Sequence, residues 1–400
     1  MKTATINAEQ NVTLKPSYII SHNSFWAYFF ICLIGASGVF FLNLLPVFIS
    51  SLVDPVGLTE QLAGYIASAN IYGSALGAFL IIQLIKKVYW KKLLVGAYIP
   101  FIIIDVISSI LTDPVLLITV RFVSGVLAGL VVGTSFALIA RLRNPDRGFA
   151  VLIIFQGSSG GLGLMLLAYL IPVWGIKALF LTLATTSMLA VLAIPFLSSY
   201  EVEGIKNPLN EEKKTFLSLP SSLTLLGIFL LQTALMAVFG YLQLIGVYHG
   251  LKSEWAGLSI GLGVWASLIG SAIVVLIGVR YGRFLLMFIS YIVITTSLFL
   301  FHFSNNAYVF VTACCLLFIA YSVLLPYLFG MCSEFDKTGQ MAATGGAASK
   351  LGLATGPFVS AMIFSGSNYD TIINVGIALT AISILLAVYP IMMLDRKSKR

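Results

Sequence analysis

The sequence is poor in charged residues and in the side chains that carry most enzyme chemistry. Lys, Arg, Asp and Glu together make up 10% of its 400 residues, and it contains three histidines and four cysteines. Hydrophobic residues account for 59%, and the mean hydropathy is +1.01. Soluble domains have about 25% charged residues. The composition therefore excludes an ordinary soluble fold and predicts a membrane protein.

The sequence also lacks the patterns of metal sites and covalent catalysis. No apolar segment carries two histidines or two acidic residues four positions apart, and there is no phosphate-binding P-loop. The cysteines show neither metal-ligand spacing nor the framework of a secreted domain. We therefore expect no enzymatic activity, no cofactor, no metal and no ATP-driven transport by this chain alone. The cysteines, interpreted as packing residues, are Cys32, Cys314, Cys315 and Cys332.

Long apolar segments dominate what the sequence does contain. A helix needs about 20 residues to cross a hydrocarbon core of ~30 Å, and twelve segments meet this length. The first has no clear cleavage site, so we predict a retained span rather than a signal peptide. The predicted segments are 26–47, 61–84, 93–111, 115–139, 149–171, 178–197, 222–245, 256–278, 285–303, 307–330, 342–364 and 372–393.

The basic residues predict the orientation of these segments. With the N-terminus in the cytoplasm, 19 of the 23 Lys and Arg residues fall on the cytoplasmic side. Only Lys177 and Lys252 fall outside, and Arg121 and Lys350 lie within segments. Both termini are therefore expected in the cytoplasm, and the net charge of +8 reflects topology rather than binding to nucleic acid. The cytoplasmic set is Lys2, Lys15, Lys86, Lys87, Lys91, Lys92, Arg141, Arg143, Arg147, Lys206, Lys213, Lys214, Arg280, Arg283, Lys337, Arg396, Lys397, Lys399 and Arg400.

The longest connection, residues 198–221, divides the twelve segments into two sets of six. It is polar and charged, as expected for a solvated linker. Short patterns recur in the two halves: Ala63-Gly64 matches Ala256-Gly257 after 193 residues, and Gly73-Ser74-Ala75 matches Gly270-Ser271-Ala272 after 197. Together they favour a duplicated six-helix unit. The predicted divisions are a tail (1–25), an N-terminal bundle (26–197), the linker (198–221), a C-terminal bundle (222–393) and a basic tail (394–400).

Several short motifs resemble those of the major facilitator superfamily. The run from Arg121 to Gly125 resembles motif B, an arginine followed by glycines. The turn from Gly278 to Arg283 is similar to motif A, with Val279 in place of its aspartate. The corresponding turn of the first half, 86–92, keeps the positive charges without the aspartate or the glycine. Part of the antiporter motif C is kept by Gly148, Gly157 and Gly161, with Leu162 in place of its proline.

This resemblance, which covers nearly the whole chain, implies an all-α membrane protein of the twelve-span bacterial type. The expected fold has twelve transmembrane helices in two pseudo-symmetric six-helix bundles. The implied function is solute transport by alternating access in the cytoplasmic (inner) membrane, with spans 1, 4, 7 and 10 lining a central cavity and spans 2, 5, 8 and 11 flanking it. The expected gating turns contain Arg280, Gly282, Arg283, Lys91 and Lys92.

Asp105 and Arg121 are opposite charges inside neighbouring segments, each about 10 Å deep at 1.5 Å per residue. The two residues have two interpretations: a structural ion pair, or a functional site. In the functional alternative, Asp105 carries a coupled proton and Arg121 contacts the substrate. Gly125, Gly129 and Gly133 lie on one helix face and predict close packing. Such packing would hold Arg121 in a defined position, which favours a specific role for it.

Lys350 lies about ten residues into the eleventh segment, too deep for its amine to reach the membrane surface. No acidic residue of the second half lies within reach, and the surrounding residues are small and polar. We therefore predict that Lys350 binds a negative group of the substrate. Two positive charges against one negative charge within the membrane favour an anionic cargo.

Neutral polar residues within the segments are further substrate-binding candidates, with hydrogen bonding between helices as the alternative. The favoured function is proton-coupled secondary transport of a small organic anion or amphiphilic metabolite. A multidrug/proton antiporter is the first alternative, and a non-transporting membrane sensor of the same fold is the second. The expected partners are a small-molecule substrate, protons and the lipid bilayer, with no nucleic acid and a monomeric chain. The neutral candidates are Asn43, Gln156, Gln232 and Tyr321.

Overall fold

The computed structural model describes residues 20–21, 24–54, 56–85, 88–198, 218–278, 282–335, 340–364 and 368–398. Most of the predicted N-terminal tail and linker lie outside these residues. The same holds for Lys86, Lys87 and Arg280 among the predicted basic turns.

The described residues form thirteen α-helices, two short 3-10 turns and no extended sheet. This confirms the predicted all-α class. The helices are α1 (Phe25–Asn43), α2 (Leu45–Val53), α3 (Glu60–Leu84), α4 (Trp90–Ser108), α5 (Pro114–Ile139), α6 (Pro145–Trp174), α7 (Ile176–Ala193), α8 (Leu219–Tyr248), α9 (Ser253–Ile277), α10 (Phe284–Leu300), α11 (Ala307–Phe335), α12 (Gln340–Ile363) and α13 (Asp370–Ser398).

Eleven of the twelve predicted segments correspond to one helix each, and the first corresponds to two. The helix breaks at Leu44, and Pro46 then lies in the first turn of α2, where proline is tolerated because the missing N–H would have no helical partner. Ten of the described helices are long and apolar enough to cross a membrane. The other two long helices are α4, which carries Lys91, Lys92 and Asp105, and α12, which is rich in small residues and carries Lys350.

In the first bundle (α1–α7), α5 packs with its backbone directly on α3. A Cβ on Gly125 would lie 1.9 Å from the carbonyl oxygen of Asn70, and one on Gly129 would lie 2.2 Å from that of Ser74. Only glycine permits this approach, because any side chain would overlap a backbone atom. The close packing predicted from the glycine spacing of α5 is present.

One close contact of this kind occurs at matched positions in the first bundle and in the second bundle (α8–α13). A Cβ on Gly73 of α3 would lie 2.1 Å from the carbonyl oxygen of Phe122 on α5, and one on Gly270 of α9 would lie 2.2 Å from that of Ile319 on α11. These two glycines belong to the matched Gly-Ser-Ala patterns of the two halves. The same helix-to-helix approach therefore occurs once in each bundle.

The bundles meet unevenly along their length. We call the end with Lys91, Arg141 and Arg283 the basic end, and the end with Glu60 and Asp370 the far end. Between described residues, every hydrogen bond that joins the bundles lies from the far end to the middle of the helices. The bonded pairs are Tyr241–Glu60, Tyr369–Glu60, Gln61–Phe364, Tyr72–Thr355 and Trp265–Ser158.

Candidate functional site

Asp105 and Arg121 form an ion pair inside the first bundle. An Arg121 Nη2 to Asp105 Oδ1 distance of 2.7 Å joins α5 to α4, and each side chain is 1% exposed. The Arg121 guanidinium carbon also lies 5.1 Å from the ring centroid of Phe180 on α7. The carbonyl oxygen of Arg121 accepts a hydrogen bond of 3.0 Å from the Asn70 amide. The pair therefore lies among α3, α4, α5 and α7, away from the second bundle.

The pair is joined by one hydrogen bond rather than two. Asp105 Oδ2 and Arg121 Nε are buried and have no hydrogen-bond partner among the described residues. Each charge consequently depends on the other for most of its compensation, because water does not reach either of them. An ion pair of this kind is strongly destabilised when one member is removed.

Lys350 is placed differently, on the α12 face that looks towards the first bundle. Pro357 and Ala361 lie two and three turns farther along the same face, and both contact α3 at Gly64. The last hydrogen bond between α3 and α12 in the described residues is Tyr72 to Thr355, 2.9 Å. Lys350 lies beyond it towards the basic end. No described residue forms an ion pair or hydrogen bond with its amine, and the side chain is partly exposed.

A hydrogen-bonded network lies beside Lys350 and joins three helices of the second bundle. Tyr321 of α11 donates to Gln232 Oε1 of α8 at 3.0 Å, and Gln232 Nε2 donates to Ser349 Oγ of α12 at 2.6 Å. Because Ser349 precedes Lys350, this network fixes the helix turn that carries the amine. The structure thus joins Gln232 and Tyr321 in one network that reaches the residue before Lys350, and their role in binding stays a prediction.

Asn43 and Gln156 form a second group, between α1 and α6. The Asn43 amide donates to the backbone carbonyl of Gln156 at 3.1 Å. No described residue bonds the Gln156 side chain, which is partly exposed.

The second-half turn at the basic end is organised by carboxylates from the same bundle. Gly278 and Gly282 have φ of 54° and 78°, a left-handed conformation that favours glycine. The Arg283 guanidinium binds Glu334, and the Asp395 carboxylate accepts from the backbone N–H of Arg283 at 3.1 Å and of Phe284 at 2.9 Å. In the first half, Lys91 donates to the carbonyl of Leu197, and Lys92 is exposed.

A model of the Major Facilitator Superfamily matches residues 25–357 of this sequence. The chain belongs to this superfamily. No curated protein matches the sequence, whereas many solved structures share its fold.

The superfamily fold is shown by solved transporters of low sequence identity. A point mutant of the nucleoside transporter NupG superposes with a TM-score of 0.75 at 12% identity, covering 92% of this chain and 99% of its own. The D-xylose-proton symporter has a TM-score of 0.70 at 16% identity, covering 92% and 97%. The inward-open xylose transporter XylE from E. coli has a TM-score of 0.70 at 15% identity, covering 92% and 95%.

Three residues that our sequence analysis does not select form a contact between the bundles at the far end. Glu60 of α3 accepts hydrogen bonds from Tyr241 of α8 and Tyr369, which precedes α13. A glutamate in the first turn of a helix is a common stabilising feature, so nothing in the sequence marks Glu60 as special. The two tyrosines lie 181 and 309 residues away. Only the fold brings the three together.

Asp395 is expected to stabilise the basic-end turn, since it caps the start of α10. Replacing Asp395 with Asn should lower the free energy of unfolding by about 1 kcal/mol, the usual cost of a lost helix cap. The neighbouring Glu334→Gln variant keeps the cap and loses only the partly exposed ion pair with Arg283, so it serves as the comparison. Thermal unfolding of the purified proteins in detergent measures the difference. Equal melting temperatures for D395N and the wild type would contradict this role.

Proposed function

We propose that the chain is a secondary transporter that moves a small organic anion, or an amphiphilic metabolite with an anionic group, by alternating access. The observation that carries the proposal is the unpartnered amine of Lys350. Arg121 is already neutralised by Asp105, so Lys350 is the charge left for a substrate among the described intramembrane residues. An uncompensated charge at this depth is costly, and an anion that enters the space between the bundles offsets that cost.

The arrangement of the bundles supports alternating access. Between described residues, the hydrogen bonds that join the bundles lie from the far end to the middle, and Lys350 lies on the basic side of the Tyr72–Thr355 bond. We propose that the basic end faces the cytoplasm, because basic residues accumulate on the cytoplasmic side of membrane proteins. The conformation is then one in which Lys350 is reached from the cytoplasm and closed off from outside.

The neighbouring polar groups favour a substrate with hydrogen-bonding capacity. The Gln232–Tyr321–Ser349 network holds the α12 turn that carries Lys350, and the Gln156 side chain of the first bundle is partly exposed and has no described partner. We propose that the anionic group binds Lys350 and that the rest of the substrate contacts these residues. Proton coupling through Asp105 requires that protons reach its carboxylate. Their access is restricted, because the side chains of Asp105 and Arg121 are each 1% exposed. We therefore favour the structural role for this pair.

Transport into proteoliposomes tests the proposal. Labelled organic anions, cations and neutral solutes of similar size are offered to the wild type and to K350Q. We expect uptake of one or more anions by the wild type, and at least a tenfold lower kcat/KM for K350Q, the equivalent of losing about 1.4 kcal/mol of binding. K350R, which keeps the charge, should retain more transport. K177Q, which removes an exposed lysine at the start of α7, is the control.

Each other result points to a different function. Uptake of anions by K350Q at the wild-type rate would remove Lys350 from the substrate site. Transport restricted to bulky cations would replace the proposal by multidrug antiport. Tight binding of an anion with no flux in any direction would identify a membrane sensor instead.

A further inference from the structure

A cavity opens between the starts of α1 and α6, at the basic end of the first bundle. Its volume is about 140 Å³, roughly that of five water molecules. Its walls are formed by Phe25, Tyr28 and Phe29 of α1 and by Arg147 and Val151 of α6. Three aromatic rings and one aliphatic side chain therefore surround a single positive charge.

The Arg147 guanidinium has no ion pair or hydrogen bond with another residue that the structure describes. Its carbon lies 5.9 Å from the ring centroid of Tyr28, within the range of a cation–π contact. The Tyr28 ring is buried, and its hydroxyl accepts a hydrogen bond of 3.3 Å from the backbone N–H of Asn144. The cavity thus holds a guanidinium on a fixed ring. Its N–H donors form a planar fork that fits a phosphate group.

Two features place this charge at the level of the lipid headgroups. Arg147 shares one face of α6 with Ile154, Leu162 and Tyr169, which lie about two, four and six helical turns farther along. Each of these three side chains is more than half exposed, and such a face contacts lipid in a protein that spans the membrane. On α1, Trp26 is also more than half exposed, and tryptophan is enriched at the membrane interface.

The cavity continues into an apolar groove between α1 and α6. Phe29 packs edge-on against Phe155 of α6, with their ring centroids 5.3 Å apart, and Trp26 packs against Phe29 at 5.9 Å. Phe25 at the mouth of the cavity is 71% exposed. A molecule that binds Arg147 therefore meets a large apolar surface directly beside the charge.

We propose that this cavity binds an anionic phospholipid of the adjacent leaflet, with its phosphate on Arg147 and its acyl chains against Phe25 and the exposed face of α6. The cavity has room for a phosphate group, and the chains lie outside it. A small soluble anion would contact the arginine alone and gain nothing from the apolar surface, so the surroundings favour a lipid. The site is separate from Lys350 in the second bundle, and it does not depend on the proposed transport.

Lipid binding by the purified, delipidated protein in detergent tests this proposal. Native mass spectrometry counts the lipids that the wild type and R147Q retain as phosphatidylglycerol is added. We expect one tightly bound phosphatidylglycerol on the wild type. Its affinity should fall roughly fivefold in R147Q, the equivalent of about 1 kcal/mol for one arginine at an anionic surface. Because Arg147 is exposed, R147Q should fold as the wild type does.

Two further variants separate the phosphate contact from general effects of charge. K177Q removes the same charge from the far end, where Lys177 is exposed, and should bind phosphatidylglycerol as the wild type does. F25A keeps Arg147 but removes an exposed ring beside it. It should weaken binding roughly threefold, because the acyl chains lose an apolar contact.

Three results would overturn the proposal. Equal affinities of the wild type and R147Q for phosphatidylglycerol would show that Arg147 does not bind the lipid. If glycerol 3-phosphate, which has the phosphate but no acyl chains, displaces phosphatidylglycerol at equal concentration, the cavity binds a soluble anion instead. If the wild type forms a lipid-free dimer that R147Q and F25A abolish, the cavity belongs to an interface between copies of the chain.

Discussion

Replacing Asp105 with Asn, or Arg121 with Gln, should each cost about 3–5 kcal/mol of stability and sharply reduce the yield of folded protein. The reason is the enclosure of the pair: both side chains are 1% exposed, and Asp105 Oδ2 and Arg121 Nε have no described partner. Either single variant leaves an uncompensated charge among α4, α5 and α7. Size-exclusion profiles and thermal unfolding in detergent measure the loss.

The double variant D105N/R121Q separates the scaffold role from a role in transport. With both charges removed, no buried charge is left unpaired, and stability should return to within about 1–2 kcal/mol of the wild type. Because the pair faces α7 rather than the second bundle, we expect transport to return with stability. The conclusion fails if the double variant is stable yet inactive, since Arg121 or Asp105 would then act in the cycle itself.

The substitution Gly125→Ala should also destabilise the first bundle. The added Cβ would lie 1.9 Å from the carbonyl oxygen of Asn70, so α3 and α5 must move apart along their whole contact. Overpacking of this kind costs at least about 1–3 kcal/mol. The Asn70 bond to the Arg121 carbonyl would also be strained. We expect a lower melting temperature and loss of the monodisperse species.

A matched glycine on α4 provides the control. A Cβ on Gly96 would meet nothing within 4 Å, and alanine is the better helix former by about 1 kcal/mol. G96A should therefore match or exceed the wild type in stability. If G125A and G96A have the same melting temperature, α3 and α5 are not packed as closely as described.

The arrangement of segments is the part that the sequence predicts well. Length and hydropathy determine where a chain can cross a lipid core, and eleven predicted segments correspond to single helices. The break at Leu44 agrees with the position of Pro46, which lies in the first turn of α2. Spacing of glycines along α5 predicts a close contact because small residues four apart share one face. That spacing does not identify the partner helix, which the fold shows to be α3.

The site is predicted less completely, because depth along a helix does not determine which neighbour a side chain faces. Arg121 and Asp105 are at the right depth to pair, and they do pair. Our sequence interpretation favours a specific role for Arg121, whereas its packing against Phe180 favours a scaffold. Glu60, Glu334 and Asp395 remain unselected for a different reason. Each lies at a helix end, where acidic residues are common and their partners are distant in sequence.

Under the proposed function, the unpaired amine of Lys350 also has an electrical consequence for the transport cycle. An empty binding site carries one positive charge, and a bound monoanion makes it neutral. Moving a unit charge through the full membrane potential changes its energy by about 2.3 kcal/mol per 100 mV. The return of the empty carrier is therefore the voltage-sensitive step, and reorientation of the loaded carrier is not. A potential that is negative inside holds the empty site towards the cytoplasm, which speeds repeated export and slows repeated import of the same anion.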